Sequence, residues 1–223
     1  MAGERLAIFD VDGTLVDSTY HHALAWHRAF SERGIVLPTW RIHREIGKGG
    51  DRLVPDLAGE EVERRVGDAL RERQHALYAE LLPEIHPFAG AHELLAACKA
   101  DGWRIALASS GRADEVGHYL ELLDADELPD AVVSSADVET TKPAPDVLAL
   151  ARERAAPELD PSAVLVVGDA TWDCEAAGSA GMTPVAVRCG GFGAEELEAA
   201  GAVAVFETLT ELRRAIGRLL PVG

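Results

Sequence analysis

Carboxylate, hydroxyl and lysine side chains follow short apolar runs at four separate places in the sequence. The four segments are DVDGT at 10–14, ASSG at 108–111, TKPAPD at 141–146 and GDATWD at 168–173. Together they contribute four carboxylates (Asp10, Asp12, Asp169, Asp173) and one amine (Lys142). Because ligands of an open parallel sheet bind beyond the carboxyl ends of its strands, we expect these side chains to meet in one crevice.

A cluster of carboxylates of this density requires a cation to hold it together. An all-oxygen site suits Mg²⁺, which usually takes one or two carboxylates together with waters and phosphate oxygens. Lys142 and a serine hydroxyl then supply positive charge and hydrogen bonds to a phosphoryl group. The residues therefore predict a magnesium-dependent site for a small phosphorylated metabolite.

The elements that must position this site are short buried strands alternating with amphipathic helices. The strand-like runs are 6–9, 103–108, 131–134, 163–167, 183–187 and 202–206. Helical spacing of apolar residues occupies 90–100 and 144–156 between them, and a last helix is predicted around 209–219. This alternation predicts an α/β protein with a doubly wound, Rossmann-like parallel sheet.

One interval interrupts the alternation, because residues 17–88 contain no strand-like run. Its first helix is predicted to begin near the capping candidates Asp17 and Ser18 and to end at Gly34, and a long helix is predicted over about 60–82. We therefore predict a core formed by 1–16 and 89–223, with an inserted α-helical cap domain at 17–88.

Charge and composition exclude several classes of partner. The chain has 21 Lys and Arg against 38 Asp and Glu, a net charge of −17, which argues against nucleic acid or an anionic membrane surface. No apolar run is long enough to span a bilayer, and the N-terminus has no secretory apolar region. Three widely separated cysteines fit reduced thiols, so a cytoplasmic location is expected. Oligomeric state is not predicted.

The ordered segments resemble the motifs of the haloacid dehalogenase superfamily, in its phosphatase branch with a helical cap inserted after the first motif. DVDGT resembles the first motif, ALASS the second, the lysine of TKPAPD the third and GDATWD the fourth. The resemblance to phosphoglycolate phosphatases and β-phosphoglucomutases covers nearly the whole chain. It implies a phosphoric monoester hydrolase that works through an aspartyl-phosphate intermediate.

The resemblance assigns the carboxylates their roles. Asp10 would be the nucleophile, and Asp12 would protonate the leaving oxygen and then deprotonate water. Mg²⁺ would be bound by the Asp10 carboxylate, the Asp12 backbone carbonyl and Asp169. Asp173 would be a further ligand or would orient one, and the alternative for Asp173 is the N-cap of the following helix.

The same resemblance assigns residues to the phosphate. Ser109 and Lys142 would hold the phosphoryl oxygens, and Ser110 leaves the serine assignment open by one position. Gly13 would let backbone amides approach the phosphate. Thr14 is assigned to the same site, with satisfaction of backbone groups at the strand exit as its alternative.

Alternative functions are separated by individual residues. Asp12, two residues after the nucleophile, resembles phosphoryl-transfer members rather than dehalogenases or phosphonatases. A β-phosphoglucomutase-like activity stays open, although Gly168 before Asp169 resembles the phosphatases better. A phosphoacceptor receiver of the signalling class would need neither Asp12 nor a cap of this length.

The predicted cap carries a basic cluster around the glycine loop GKGG. Its members are Arg41, Arg44, Lys48 and Arg52. Lys48 and Arg44 are predicted to contact an anionic part of the substrate, with a solvated surface as the alternative. Six of the eight histidines lie in the interval 17–88 and are predicted to be packed or solvated helix residues without a role as ligands.

Overall fold

Six short strands form one parallel sheet in the computed structural model, which describes residues 5–219. The strands are β1 (Leu6–Phe9), β2 (Arg104–Ala108), β3 (Ala131–Val133), β4 (Val164–Gly168), β5 (Thr183–Val187) and β6 (Val205–Phe206). Their spatial order is β3-β2-β1-β4-β5-β6, so the direction of winding reverses between β1 and β4. The prediction of a doubly wound α/β sheet is confirmed.

The central strand β1 shows why the strand sequences are apolar throughout. Ala7 and Phe9 belong to the core cluster on one face of the sheet, while Leu6 and Ile8 belong to the cluster on the other. All four side chains are fully buried. A strand covered on both faces needs a continuous apolar run rather than alternation, which is what LAIF provides.

Ten α-helices accompany the sheet within the described residues. They are α1 (Thr19–Glu32), α2 (Thr39–Glu45), α3 (Gly50–Ala58), α4 (Glu60–Ala79), α5 (Ala91–Ala100), α6 (Ala113–Leu122), α7 (Asp146–Ala155), α8 (Thr171–Ser179), α9 (Ala194–Ala199) and α10 (Leu209–Ala215). Helices α1 to α4 all lie between β1 and β2, and α1 packs on α2 and α4 while α3 packs on α4. The interval predicted to be helical contains no strand of the sheet among these residues.

The chain leaves and re-enters the sheet region at one point, where Val16 and Pro87 lie in two segments paired antiparallel. The Asp17 amide donates to the His86 carbonyl at 2.9 Å, and the Phe88 amide donates to the Leu15 carbonyl at 2.9 Å. Four backbone positions thus join the two connections to the helical insertion. This pairing lies next to the predicted cap boundaries at 17 and 88, and the boundaries stay a prediction.

The C-terminal part of the sequence is less regular than predicted. The run at 202–206 forms only the two-residue edge strand β6, and α10 ends at Ala215 with a single 3₁₀ turn after it. The predicted core also includes residues 1–4 and 220–223, which lie outside the described residues. None of the helices between residues 5 and 219 is long and apolar enough to cross a membrane.

Candidate active site

The switch point of the sheet brings Asp10, Lys142 and Asp173 into contact. Asp10 follows β1, and its amide donates to the Val167 carbonyl of β4 at 2.9 Å, which fixes the strand end. The Lys142 Nζ lies 2.5 Å from Asp10 Oδ1 and 2.8 Å from Asp173 Oδ1, and it donates to the Ala108 carbonyl at 2.9 Å. Burial opposes the charge on Lys142, but Asp10 and Asp173 raise its pKa, so the amine stays protonated.

Three buried carboxylates crowd around this amine. One oxygen from each of Asp10, Asp169 and Asp173 lies within 4.8 Å of the others. Burial raises the pKa of Asp10 to about 7 against the opposing effect of Lys142, and the Asp173 and Asp12 charges add to the rise. Burial and the charges of Asp10 and Asp173 also raise the pKa of Asp169.

The donor atoms of this cluster fit a divalent cation. Asp10 Oδ2 and Asp173 Oδ1 are buried and accept no hydrogen bond, although Asp173 Oδ1 keeps its ion pair with Lys142. A single ammonium does not balance three carboxylates, and an oxygen-only ligand set is the one that Mg²⁺ prefers. The residues present therefore suit the magnesium ion that the sequence predicts.

Asp12 is held by three side chains, two from the predicted cap and one from the end of β2. Ser18 donates to Asp12 Oδ1 at 2.7 Å, Ser109 donates to Oδ2 at 3.1 Å, and His22 Nε2 lies 2.9 Å from Oδ1. Burial opposes ionisation, but the charge and hydrogen bond of His22 and the two hydroxyls lower the pKa of Asp12 to about 2. Asp12 is therefore a carboxylate with a fixed orientation.

His22 is a site residue that the sequence analysis did not identify. Its Nδ1 lies 3.2 Å from the Gln74 side-chain amide, and its ring stacks on Tyr78 with centroids 3.7 Å apart. Burial opposes protonation, while Asp12 raises the pKa of His22. The available signal was the spacing of four between Ser18 and His22, which places both side chains on one face at the start of α1.

The Gly13 amide and the Thr14 hydroxyl make hydrogen bonds within the protein, and the predicted role of both residues at a phosphate stays a prediction. The Gly13 amide donates to the Val16 carbonyl at 2.9 Å, and the Thr14 hydroxyl donates to Asp169 Oδ1 at 2.9 Å. Gly13 has φ +81°, and a Cβ at this position would overlap the Thr19 hydroxyl and the Asp169 carboxylate. The glycine is therefore required for close packing against Asp169.

Asp173 is not the N-cap of α8, because Ala170 occupies that position. Asp173 is the third residue of the helix, and its Oδ2 accepts from the Ala170 amide at 3.1 Å. This hydrogen bond satisfies a free amide at the helix start and turns Oδ1 towards Lys142. The same side chain thus stabilises the helix and takes part in the carboxylate cluster.

A cavity of about 260 Å³ opens between the cap helices and the sheet. Ser110 lines it, and its buried hydroxyl has no hydrogen-bond partner. Ser109 lies behind Ser110, where it donates to Asp12 and accepts from the Gly111 amide at 2.9 Å. The lining also includes Asp10, Asp12, His22, Lys48, Asp51, Arg71, Arg112, Glu115 and Glu139.

The two basic residues predicted to contact substrate occupy different places. Lys48 lines the cavity, but its Nζ lies between Glu45 and Asp56 and 3.8 Å from the Trp172 ring centroid. Arg44 is not among the lining residues. Its guanidinium pairs with Glu196 at 2.6 Å and so joins α2 to α9. A contact of Arg44 with the substrate stays a prediction.

The glycine loop of the cap is tied to the segment that carries Lys142. Thr141 donates its hydroxyl to Asp51 Oδ1 at 2.6 Å, and it accepts from the Gly49 amide at 2.9 Å. The Thr141 amide also donates to Asp51 Oδ2 at 3.3 Å. Since Thr141 directly precedes Lys142, the loop and the amine are positioned by one set of hydrogen bonds, which the sequence analysis did not predict.

Comparison with known proteins agrees with this geometry. Residues 7–187 match the family described as haloacid dehalogenase-like hydrolase. The chain belongs to this family. A probable phosphatase, IndB, of Dickeya dadantii is 30% identical over 222 residues, covering 98% of this chain and 96% of the relative. This hydrolase belongs to the phosphatase branch, which makes it an enzyme and excludes the receiver alternative.

Two further comparisons cover most of the hydrolase. A phosphoglycolate phosphatase of Nitrosospira multiformis is 33% identical over 186 residues, covering 79% of this chain and 80% of the relative. The crystal structure of a hydrolase from Pseudomonas syringae superposes with a TM-score of 0.91 at 33% identity, covering 98% of this chain and all of that chain. The sheet and the four helices after β1 are thus the architecture of a solved relative.

Proposed function

We propose that this hydrolase cleaves a small phosphate monoester in a Mg²⁺-dependent reaction through an aspartyl-phosphate on Asp10. The observation that carries the proposal is the state of the Asp10 carboxylate. Its Oδ1 is held by Lys142, while its Oδ2 is buried beside the cavity without a hydrogen-bond partner. One oxygen is therefore fixed and the other is left for chemistry.

In the first step, an Asp10 oxygen attacks phosphorus and the bond from phosphorus to the ester oxygen breaks. The leaving oxygen takes a proton from Asp12, which receives it from the protonated His22 ring 2.9 Å away, while Ser18 and Ser109 fix the orientation of the carboxyl group. Lys142 and the Ser110 hydroxyl, which has no other partner in the described part of the chain, stabilise the phosphoryl oxygens, while the Ser109 hydroxyl stays on Asp12. The products of this step are the alcohol and the aspartyl-phosphate.

In the second step, the Asp12 carboxylate takes a proton from a water molecule that attacks phosphorus. The bond between phosphorus and the Asp10 oxygen breaks, which releases phosphate and restores Asp10. Asp12 is ionised after the first step, as its lowered pKa favours, and it passes the accepted proton to the neutral His22 ring, which restores the pair. The same carboxylate thus serves both steps.

Asp10, Asp169 and Asp173 would hold the magnesium ion, together with the predicted Asp12 carbonyl. When bound, the ion supplies positive charge that offsets the carboxylates and the phosphoryl oxygens. Thr14 keeps Asp169 oriented through its hydroxyl, and the Ala170 amide does the same for Asp173.

The test is hydrolysis of p-nitrophenyl phosphate by wild type and by Asp10→Asn, with Mg²⁺ and with excess EDTA. We expect Mg²⁺-dependent release of phosphate by wild type alone, because the amide removes the nucleophile and keeps the size of the side chain. Circular dichroism of both proteins controls for folding. Turnover of Asp10→Asn near the wild-type rate would contradict the proposal.

A further inference from the structure

The positive charges that line the cavity away from Asp10 are already neutralised by carboxylates. Lys48 is the first of them, and only 7% of its side chain is exposed. Its Nζ lies 2.5 Å from Glu45 Oε2 and 2.7 Å from Asp56 Oδ2. One ammonium thus faces two carboxylates, which leaves no surplus positive charge for a substrate.

Arg71 of α4 shows the same balance. Its guanidinium makes two hydrogen bonds of 2.9 Å to Glu63 and one of 2.7 Å to Asp68, and it also donates to the Gly50 carbonyl at 3.1 Å. A bidentate pair with Glu63 uses the donor face with which arginine would otherwise bind a substrate carboxylate or phosphate.

Arg112, at the start of α6, is the third cation of the lining. It lies 3.1 Å from Glu72 Oε1 and 3.5 Å from Asp114 Oδ1. Each of the three cationic side chains is therefore accompanied by two carboxylates, so each group has a net negative charge.

Besides Asp10 and Asp12, three carboxylates are themselves part of the cavity lining. Asp51 accepts hydrogen bonds from Thr141 but contacts no cation in the part of the chain from 5 to 219. Glu139 has no ion pair within the same range, and Glu115 lies 3.1 Å from His75. Together with the carboxylates that pair with its three cations, the part of the cavity beyond the phosphoryl end is therefore surrounded by more negative than positive charge.

We infer that the alcohol released from the substrate carries no negative charge, being either an uncharged hydroxyl-bearing group or a cation. The inference rests on the proposed phosphatase function and narrows its substrate class. A second anion would be placed among carboxylates without a free cation, and such like-charge contacts disfavour binding. It opposes the sequence-based hypothesis of an anion contact at Lys48 and sets this hydrolase apart from relatives named for phosphoglycolate.

The test compares three esters of matched size: 2-hydroxyethyl phosphate, phosphoethanolamine and phosphoglycolate. Their leaving groups are neutral, cationic and anionic. With Mg²⁺ we expect kcat/KM for phosphoglycolate to be at least about tenfold below those for the other two. The three esters should also inhibit hydrolysis of p-nitrophenyl phosphate in the same order. Their inhibition constants compare their affinities without measuring the release of phosphate from each ester.

The outcomes separate this inference from the proposed function. The inference is overturned if phosphoglycolate has the highest kcat/KM of the three esters, or if the three values are equal. In either case, turnover of p-nitrophenyl phosphate still upholds the phosphatase function. Absence of Mg²⁺-dependent turnover of the aryl ester overturns both.

A charge-release variant tests the cause. Glu63→Gln keeps an oxygen against Arg71 but removes one of the two negative charges that accompany it, so the group loses its net negative charge. We expect its kcat/KM for phosphoglycolate to rise severalfold, while that for hydroxyethyl phosphate stays unchanged. Glu84→Gln removes the same charge from an exposed residue outside the cavity lining and should change neither value. An unchanged ratio in Glu63→Gln, or an equal change in both variants, overturns the electrostatic explanation.

Discussion

Replacing His22 by Gln should destabilise the metal-free protein by about 2 kcal/mol near pH 5.5, because His22 stabilises the buried Asp12 carboxylate. The pKa of Asp12 falls from its ordinary 3.8 to about 2 although burial opposes the change, and His22 at 2.9 Å contributes most to the fall. At about 1.4 kcal/mol per pKa unit, this corresponds to about 2 kcal/mol in favour of the folded, ionised state. For a chain of this size the melting temperature should drop by roughly 4–8 °C.

The pH dependence of this effect follows from the two opposite pKa changes. The stability from Asp12, whose folded pKa is lowered, is present above pH 3.8 and is lost as the pH falls towards about 2. The stability from His22, whose folded pKa is raised, is present below pH 6.5 and is lost as the pH rises above the folded value. The pair should therefore contribute most between about pH 4 and pH 6.5.

A double-mutant cycle measures the interaction directly. Urea unfolding of wild type, His22→Gln, Asp12→Asn and the double variant, in EDTA, gives the coupling free energy. The matched control is His21→Gln in the same helix, because His21 Nδ1 has no hydrogen-bond partner among the described residues. A coupling under about 0.5 kcal/mol near pH 5.5, or one that grows as the pH rises above 7, would refute the reasoning.

Three other predictions concern the carboxylate cluster and the loop beside it. Asp12→Asn should accumulate phosphorylated Asp10 from p-nitrophenyl phosphate, because this leaving group needs little acid whereas hydrolysis of the aspartyl-phosphate needs a base. Absence of the adduct in intact-mass spectrometry would contradict this. Because burial raises the pKa of Asp10 from 3.8 to about 7, its ionisation should lower the metal-free free energy of unfolding as the pH rises through that range. Mg²⁺ should restore this stability above pH 7 in wild type but much less in Asp169→Ala, as thermal unfolding would show; equal Mg²⁺ responses would exclude Asp169 as a ligand. Thr141→Val should remove the hydroxyl contacts to Gly49 and Asp51 and reduce kcat, because Thr141 positions Lys142. The control Thr210→Val on α10 should leave kcat unchanged. Equal effects of the two substitutions would indicate a general loss of stability.

The sheet and the strand ends could be predicted because they depend on local sequence. A run such as LAIF or VLVVG, buried on both faces, has few alternatives to a central parallel strand. The strand order then places Asp10 and Asp169 at adjacent ends of β1 and β4. Contact between these two carboxylates follows from the fold with no further information about side chains.

Contacts between the cap and the core could not be predicted in the same way, because they depend on how two separately packed groups of helices meet. His22 has an ordinary position in an amphipathic helix, and only the docking of α1 brings it to Asp12. The acceptors of the Gly13 amide and the Thr14 hydroxyl depend on the local backbone path of the turn, which brings these donors to the Val16 carbonyl and to Asp169. Sequence spacing alone does not determine which acceptor such a donor will reach.

The basic cluster shows that a run of cationic residues in the sequence need not give a net positive charge in the folded protein. Lys48 is predicted as a free cation because GKGG is flanked by arginines, but Asp56, eight positions later on α3, folds back to pair with it. In a chain with a net charge of −17, cations that line a cavity are more readily neutralised than left free. The predicted magnesium ion then supplies the positive charge that lets the Asp10 end of the cavity take a phosphoryl group, and the carboxylates at the other end repel a second anion. A phosphate monoester with an uncharged or cationic leaving group is therefore expected to bind with its phosphoryl group towards Asp10. An ester with a second anion lacks this preferred binding orientation, because either end is negatively charged.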